Sequence, residues 1–288
     1  MVKLIDGKAL ARNIGDQIKE RVYALKDQGV ATKLAVIMIG DNPASNAYVG
    51  IKLKRAAELG ITVEQHRLAD DISEEDLYRL IDRLNRDICT HGILVQLPLP
   101  DNLDTAKVLA NIAHEKDVDG MHSHNAVAML TGHDGLMACT PKGIAALIKS
   151  TREPIEGKRC VVVGRSNLVG KPTADFMLRE GATITMCHSC TKNLGSFTKE
   201  ADILISAAGC AGLIVGDMVK EGAMVIDVGQ SWEDGVWRGD VDFESVSSKA
   251  SYITPTPGGV GPMTIIMLMD NTVEAAERSL SDRHIHGA

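Results

Sequence analysis

Short apolar runs alternate with helix-period patterns along most of the chain. The runs Lys33–Gly40, Ile61–Leu68, Gly92–Gln96, Cys160–Gly164, Thr183–Cys187, Ile203–Ala207 and Met224–Val228 read as strands. Each is bounded by Gly, Pro, Asp or Asn, residues that end a ladder or turn the chain. Between them, apolar positions recur with helical spacing at Gly7–Gln28, Ser45–Leu59, Glu74–Asp87, Lys171–Glu180 and Val241–Ser248. Such alternation predicts an α/β protein built on parallel sheets with right-handed crossovers.

The pattern breaks once. The strand ending at Gln96 runs into Leu97-Pro98-Leu99-Pro100, where proline cannot donate to a ladder. A polar stretch leads to Lys116-Asp117-Val118-Asp119-Gly120, and the alternation restarts at Ile155-Glu156-Gly157-Lys158. This places one domain at residues 1–120 and a second at 121–288. A length of 288 residues suits two domains of about 150 residues each. The last helical pattern, Gly261–Ser279, has no strand after it and is free to pack on either domain. The chain has no internal repeat and no low-complexity tract.

Composition narrows the class. Apolar residues at 44% and charged residues at 24% are ordinary globular usage. Aromatics at 3% require an aliphatic core. A net charge of −7 leaves no basic excess for nucleic acid, though it permits a small anionic ligand at a local cluster. No run reaches the ~20 apolar residues of a membrane span. The start, Met1-Val-Lys-Leu-Ile-Asp-Gly, lacks the apolar run and small-residue site of a signal peptide. A cytoplasmic location is expected, with Cys89, Cys139, Cys160, Cys187, Cys190 and Cys210 as reduced thiols. The tail His284-Ile285-His286 is expected to be unstructured. Its two histidines make an incomplete metal site, and no metal is expected.

Candidate chemistry begins at a glycine-rich turn. Val161-Val162-Val163 runs into Gly164-Arg165-Ser166-Asn167-Leu168-Val169-Gly170, and a helix follows. That is the strand–turn–helix setting of a dinucleotide site, where backbone N–H groups and the helix N-terminus meet a pyrophosphate. The spacing is not G-x-G-x-x-G, so a tight turn without ligand also fits. A nucleotide-triphosphate loop does not fit, because Lys171 is followed by Pro172 and the glycine spacing is too long. The next strand ends Met186-Cys187-His188-Ser189-Cys190-Thr191-Lys192 with no carboxylate. NAD sites usually place an acid there for the ribose 2′-OH. Arg165, Ser189 and His188 would instead suit a 2′-phosphate, which favours NADP. Cys187-x-x-Cys190 lacks a second ligand pair for zinc.

The first half carries its own candidates. Tyr48 and Lys52 stand four positions apart and share a helix face. A desolvated lysine loses charge and becomes a general base, though the spacing alone favours a solvated helix lysine. Gln96 falls at the carboxyl end of its strand, where open α/β sheets bind ligands. Asp117 and Asp119 are turn-formers or partners of a polar heterocycle, and periodicity does not separate the two. Thr254–Thr264, rich in Gly and Pro, is a rigid loop with exposed backbone N–H groups, suited to a flat ring or ribose, or a rigid connector.

Taken together, these segments resemble the bifunctional methylenetetrahydrofolate dehydrogenase/cyclohydrolase family. The matching stretches are Ser45–Lys52, Gln96–Pro100, Lys116–Gly120, Thr140–Gly143, Val163–Pro172 and Pro257–Thr264, in family order. The resemblance implies two α/β domains flanking a cleft: a folate-binding catalytic domain and a Rossmann-like NADP domain. The last helix, about residues 262–280, would return to the first domain, and a homodimer would form through the cofactor domains. Lys52 matches the family's catalytic lysine, Tyr48 the tyrosine against the substrate's aminobenzoate ring, and Gln96 the glutamine that bonds the lysine. Asp119 matches the aspartate that anchors the pterin. Leu97, Pro257, Gly258 and Gly259 are expected substrate contacts. Gly164, Arg165, Ser166, Ser189 and Gln230 are expected cofactor contacts.

The activity so implied is oxidation of 5,10-methylenetetrahydrofolate by NADP, then hydrolysis to 10-formyltetrahydrofolate. Two positions depart from the family pattern. Gln230-Ser231 stands where Ile-Asn is common after Asp-Val-Gly, and Ala138 stands where proline is common. Three other readings remain open: a family member lacking the hydrolase, an NADP-binding scaffold, or an NADP oxidoreductase acting on another small substrate such as a hydroxy acid. The last leaves Tyr48, Lys52 and Lys116–Gly120 without a role.

Overall fold

The computed structural model describes residues 2–233 and 235–286. Its elements are β1 (Lys3–Leu4), α1 (Gly7–Asp27), β2 (Lys33–Ile39), α2 (Pro43–Glu58), β3 (Thr62–Leu68), α3 (Glu74–Arg86), β4 (Gly92–Val95), α4 (Thr105–Ala110), α5 (Ser123–Thr131) and α6 (Cys139–Ser150). There follow β5 (Arg159–Val163), α7 (Gly170–Arg179), β6 (Thr183–Cys187), α8 (Leu194–Thr198), β7 (Ile203–Ser206), β8 (Met224–Asp227), β9 (Ser231–Glu233), β10 (Val236–Arg238), α9 (Phe243–Ser247), β11 (Tyr252–Ile253) and α10 (Val260–His286). The sequence-predicted elements fall close to these bounds. The exception is α10, whose backbone continues through His284–His286, where no structure is expected from the sequence; the side chains there lie outside the described residues.

The chain forms two compact units, one of Met1–Arg12 with Thr140–Thr264 and one of Asn13–Cys139 with Ile265–Ala288. A cut at 120/121 would put Met1–Arg12 and Met121–Cys139 on the other side in each case. Long-range backbone bonds decide their place. β1 pairs in parallel with β11, Lys3 against Tyr252, and the Cys139 N–H donates to the Asp119 carbonyl at 3.3 Å. No local pattern carries that information.

The unit containing Thr140–Thr264 holds a six-stranded sheet in the order β1-β11-β8-β7-β5-β6. All its pairs are parallel. The chain steps from β5 to β6 on one side, then to β7 on the other, so the order reverses between β5 and β7. In an open parallel sheet that reversal opens a crevice at the carboxyl ends of the two strands. Its core packs Val161, Val163, Leu204, Val225, Val246 and Ile253. Burial on both faces explains the unbroken apolar run Val161–Val163.

The other unit holds a three-stranded parallel sheet in the order β3-β2-β4, with β2 central. Its core joins Ala35, Ile37, Leu77, Ile81, Leu84 and Ile93. α3 shows why such a segment is helical. Ser73 caps it by accepting the Asp76 N–H at 3.1 Å. Glu74, Glu75 and Asp76 face the positive end of its dipole, and Leu77, Ile81 and Leu84 bury one stripe. α2 starts in a similar way: Asn42 accepts the Ser45 N–H at 3.1 Å, and Pro43 occupies the first turn.

Candidate active site

Val49, Lys52 and Ala56 follow one another along a single buried stripe of α2, continued by Leu59 just past its end. Lys52 therefore replaces an apolar residue in the stripe and is only 6% exposed. Its Nζ donates to Gln96 Oε1 at 3.0 Å and lies 4.7 Å from the centre of the Tyr48 ring. Burial pulls the Lys52 ammonium below its ordinary 10.5, against the opposing pull of Asp119 and Cys139. The same burial pushes the Tyr48 phenol up to about 12, so it stays protonated.

Gln96 immediately follows β4, and its N–H donates to the Ile37 carbonyl of the central strand at 2.9 Å. Its Nε2 donates to the Leu97 carbonyl at 2.6 Å. That bond fixes the amide orientation and turns Oε1 toward the lysine.

The stretch Lys116–Gly120 divides by role. Lys116 Nζ donates to the carbonyls of Leu84, Asn85 and Asp87, closing the end of α3. Asp117 is buried and accepts the His122 N–H at 2.7 Å and Asn125 Nδ2 at 2.9 Å. Both are structural. Asp119 instead faces Lys52, with the Cys139 thiol as a hydrogen-bond partner. The residue keeps some exposed surface, yet its carboxyl lies among protein atoms, and burial pushes it above the ordinary carboxylate range.

Two residues absent from the sequence-derived site hold Asp119 in place. Cys139 is buried and donates to the Val118 carbonyl at 3.2 Å. Asn271 of α10 is fully buried, and its Nδ2 donates to the carbonyls of Val118 and Met137, both at 2.8 Å. Gly120 makes this approach possible. Its φ is +72°, and a Cβ there would sit 2.5 Å from the Ala138 Cα. Gly120→Ala is expected to lower stability by about 1–3 kcal/mol, through strain at positive φ and overlap with that backbone. A thermal melt reads this directly, and an unchanged Tm would show that the approach is not tight.

In the other unit the expected cofactor residues collect at the carboxyl ends of the strands. Gly164 follows β5, and Gly170 opens the ten-residue helix α7. A Cβ on either would overlap backbone, of Ala207 for Gly164 and of Gly164 for Gly170. Ser166 is exposed, and its hydroxyl accepts the N–H groups of Val169 at 3.2 Å and Gly170 at 3.3 Å. Arg165 and Ser189 are exposed at the ends of β5 and β6. His188 is held by its turn, its Nδ1 accepting the Cys190 N–H at 3.2 Å. No carboxylate stands in that turn, and Arg165 supplies a cation. The donor set fits a dinucleotide with an added ribose phosphate. Gln230 is exposed after β8, with its side-chain amide near Gly261 at the start of α10. Pro257–Gly259 lie in the loop before α10, where the Gly258 carbonyl accepts the Lys8 N–H at 3.1 Å. Among the described residues no cluster of His, Cys, Asp or Glu is arranged to hold a metal.

Two family models match. Residues 5–119 match the tetrahydrofolate dehydrogenase/cyclohydrolase catalytic domain, and residues 138–280 match its NAD(P)-binding domain. A bifunctional protein FolD of an Exiguobacterium species is 53% identical over 278 residues, covering 96% of this chain and 100% of that one. The crystal structure of the bifunctional FolD of Campylobacter jejuni superposes with a TM-score of 0.95 at 48% identity, covering 96% of this chain and 99% of that one. The Trypanosoma brucei methylenetetrahydrofolate dehydrogenase-cyclohydrolase, solved with NADP cofactor and inhibitor, gives 0.92 at 36% identity, covering 97% and 98%.

Proposed function

Because this chain belongs to the tetrahydrofolate dehydrogenase/cyclohydrolase family, we propose that Lys52 is the proton-transfer group of its hydrolytic step. In the same reading Gln96 and Tyr48 orient that lysine, and Asp119 anchors the folate ring. The chain oxidises 5,10-methylenetetrahydrofolate to the 5,10-methenyl form with NADP, then hydrolyses that to 10-formyltetrahydrofolate, supplying one-carbon units. The observation that carries the residue assignment is the buried Lys52 ammonium, bonded to Gln96 within an otherwise apolar stripe.

Bound NADP supplies the hydride acceptor, with Gly164, Arg165, Ser166, Ser189 and Gln230 as the residues that would hold it. The protein's contribution to that step is chiefly positioning. Hydrolysis needs proton transfers. Water adds to the methenyl carbon, and neutral Lys52 takes the proton that water loses. The carbon–N5 bond then breaks as Lys52 returns that proton to N5 and the adduct's hydroxyl releases its own proton to solvent, leaving the formyl carbonyl on N10. A neutral lysine also avoids repelling the cationic methenyl group. Leu97 and Pro257–Gly259 are assigned as further folate contacts.

The pH profile tests this role. Hydrolysis is expected to quicken as pH rises and level off once Lys52 has lost its proton, with the limb below the ordinary lysine range because burial lowers it. Gln96→Glu would set a carboxylate against Lys52 and shift that limb to higher pH. A limb that stays in place in this variant would dissociate Lys52 from the titration.

Two coarser matters belong to the same reading. No helix among the described residues is long and apolar enough to cross a membrane. Reduced thiols at all six cysteines suit the cytoplasm. The working form is assigned as a homodimer joined through the dinucleotide unit, and sedimentation at twice 30.9 kDa is the expected result.

A further inference from the structure

Two buried aspartates tie the loops at the carboxyl edge of the six-stranded sheet, and neither has a part in the chemistry above. Asp240 is fully buried. Its Oδ2 accepts the Ser206 hydroxyl at 3.0 Å, the Ala208 N–H at 2.6 Å and the Gly209 N–H at 3.3 Å; its Oδ1 accepts the Cys210 N–H at 2.8 Å. Asp227 ends β8 and accepts the Asp240 N–H at 2.9 Å, the Val241 N–H at 3.3 Å and the Thr256 hydroxyl at 3.2 Å. The fit has no slack, since a Cβ at Gly229 would overlap the Asp240 carboxylate and one at Gly239 the Asp227 carboxylate.

Asp240 thus ties down Ser206, at the end of β7, and Ala208–Cys210 in the loop that follows. That loop faces the glycine-rich turn across the point where the strand order reverses, and a Cβ at Gly164 would overlap the Ala207 carbonyl. Three successive backbone N–H groups turned one way form a concavity that attracts anions. Here the protein's own carboxylate fills it. We propose that Asp240 is a positioning residue for NADP: it occupies this concavity from within, fixes the wall of the crevice opposite Gly164, and leaves the pyrophosphate to the N-terminus of α7. The proposal rests on the reading that this unit holds NADP.

The test compares wild type, Asp240→Asn and Ser206→Ala in the full-length chain. NADP affinity is measured by equilibrium titration, beside dehydrogenase kinetics and cofactor-free hydrolysis of methenyltetrahydrofolate. For Asp240→Asn, Kd and KM for NADP are expected to rise by about tenfold or more, the scale of lost hydrogen bonds to a charged group. At saturating NADP kcat should stay near wild type, and cofactor-free hydrolysis, in the other unit, should change by less than about twofold. Ser206→Ala removes one bond and keeps the charge, so a smaller rise in Kd is expected.

Unchanged NADP affinity in folded Asp240→Asn overturns the proposal. Should Asp240→Asn not fold, Ser206→Ala decides: weakened NADP supports the role, and unchanged affinity overturns it. Failure of the wild type to bind NADP would instead count against the cofactor assignment itself.

Discussion

Lys52→Ala is expected to remove the hydrolytic activity while leaving a folded protein that still binds NADP. The loss should be about 10²–10⁴-fold, the scale of a positioned acid–base group. Gln96 would lose the donor it accepts at 3.0 Å, and among the described residues no other amine is bonded to its Oε1. The residues assigned to NADP belong to the other unit and are expected to keep their geometry. Stability should move the opposite way in Lys52→Met. Burial lowers the folded-state pKa of Lys52 below its unfolded value. The charged form therefore destabilises the fold fully below the folded pKa, and the penalty fades as pH rises from the folded pKa to the unfolded one. An uncharged side chain of similar length removes it, so Tm should rise at neutral pH while hydrolysis is lost. A Tm that falls in Lys52→Met would show that the buried ammonium stabilises the fold.

Arg165→Ala is expected to weaken NADP on the order of tenfold or more while NAD changes by less than about twofold, as for loss of a charge-assisted bond to one phosphate. The two cofactors differ only at the ribose 2′ position. Arg165 is exposed beside Gly164, and the turn after β6 offers Ser189 with no carboxylate. Parallel titrations with both cofactors measure the difference. Equal weakening would move Arg165 to the shared pyrophosphate.

The fold was legible wherever burial imposes a period. Val161–Val163 and Ala35–Ile37 are buried strands and read as such. β1 and β11 are two residues each, too short to show alternation, and only their pairing reveals them. α6 was hidden by Pro141 and Gly143, yet proline is tolerated in a first turn, and Gly143 packs against Met263. Lys52 was more legible than the Tyr48 spacing suggests, because Val49, Lys52, Ala56 and Leu59 already place it in an apolar stripe. The separation of Asp117 from Asp119 was not legible. It depends on His122 and Asn125 claiming one carboxylate and on Lys52 facing the other. Asp240 carries no local signal either, since its partners lie some thirty positions upstream.

The most direct measurement supplies methenyltetrahydrofolate without NADP and follows the loss of its absorbance, with wild type and Lys52→Ala side by side. Enzyme-dependent loss by the wild type, and none above background by Lys52→Ala, is the expected result. Loss at the wild-type rate in the variant, or no enzyme-dependent loss by the wild type, would contradict a hydrolytic site built on Lys52.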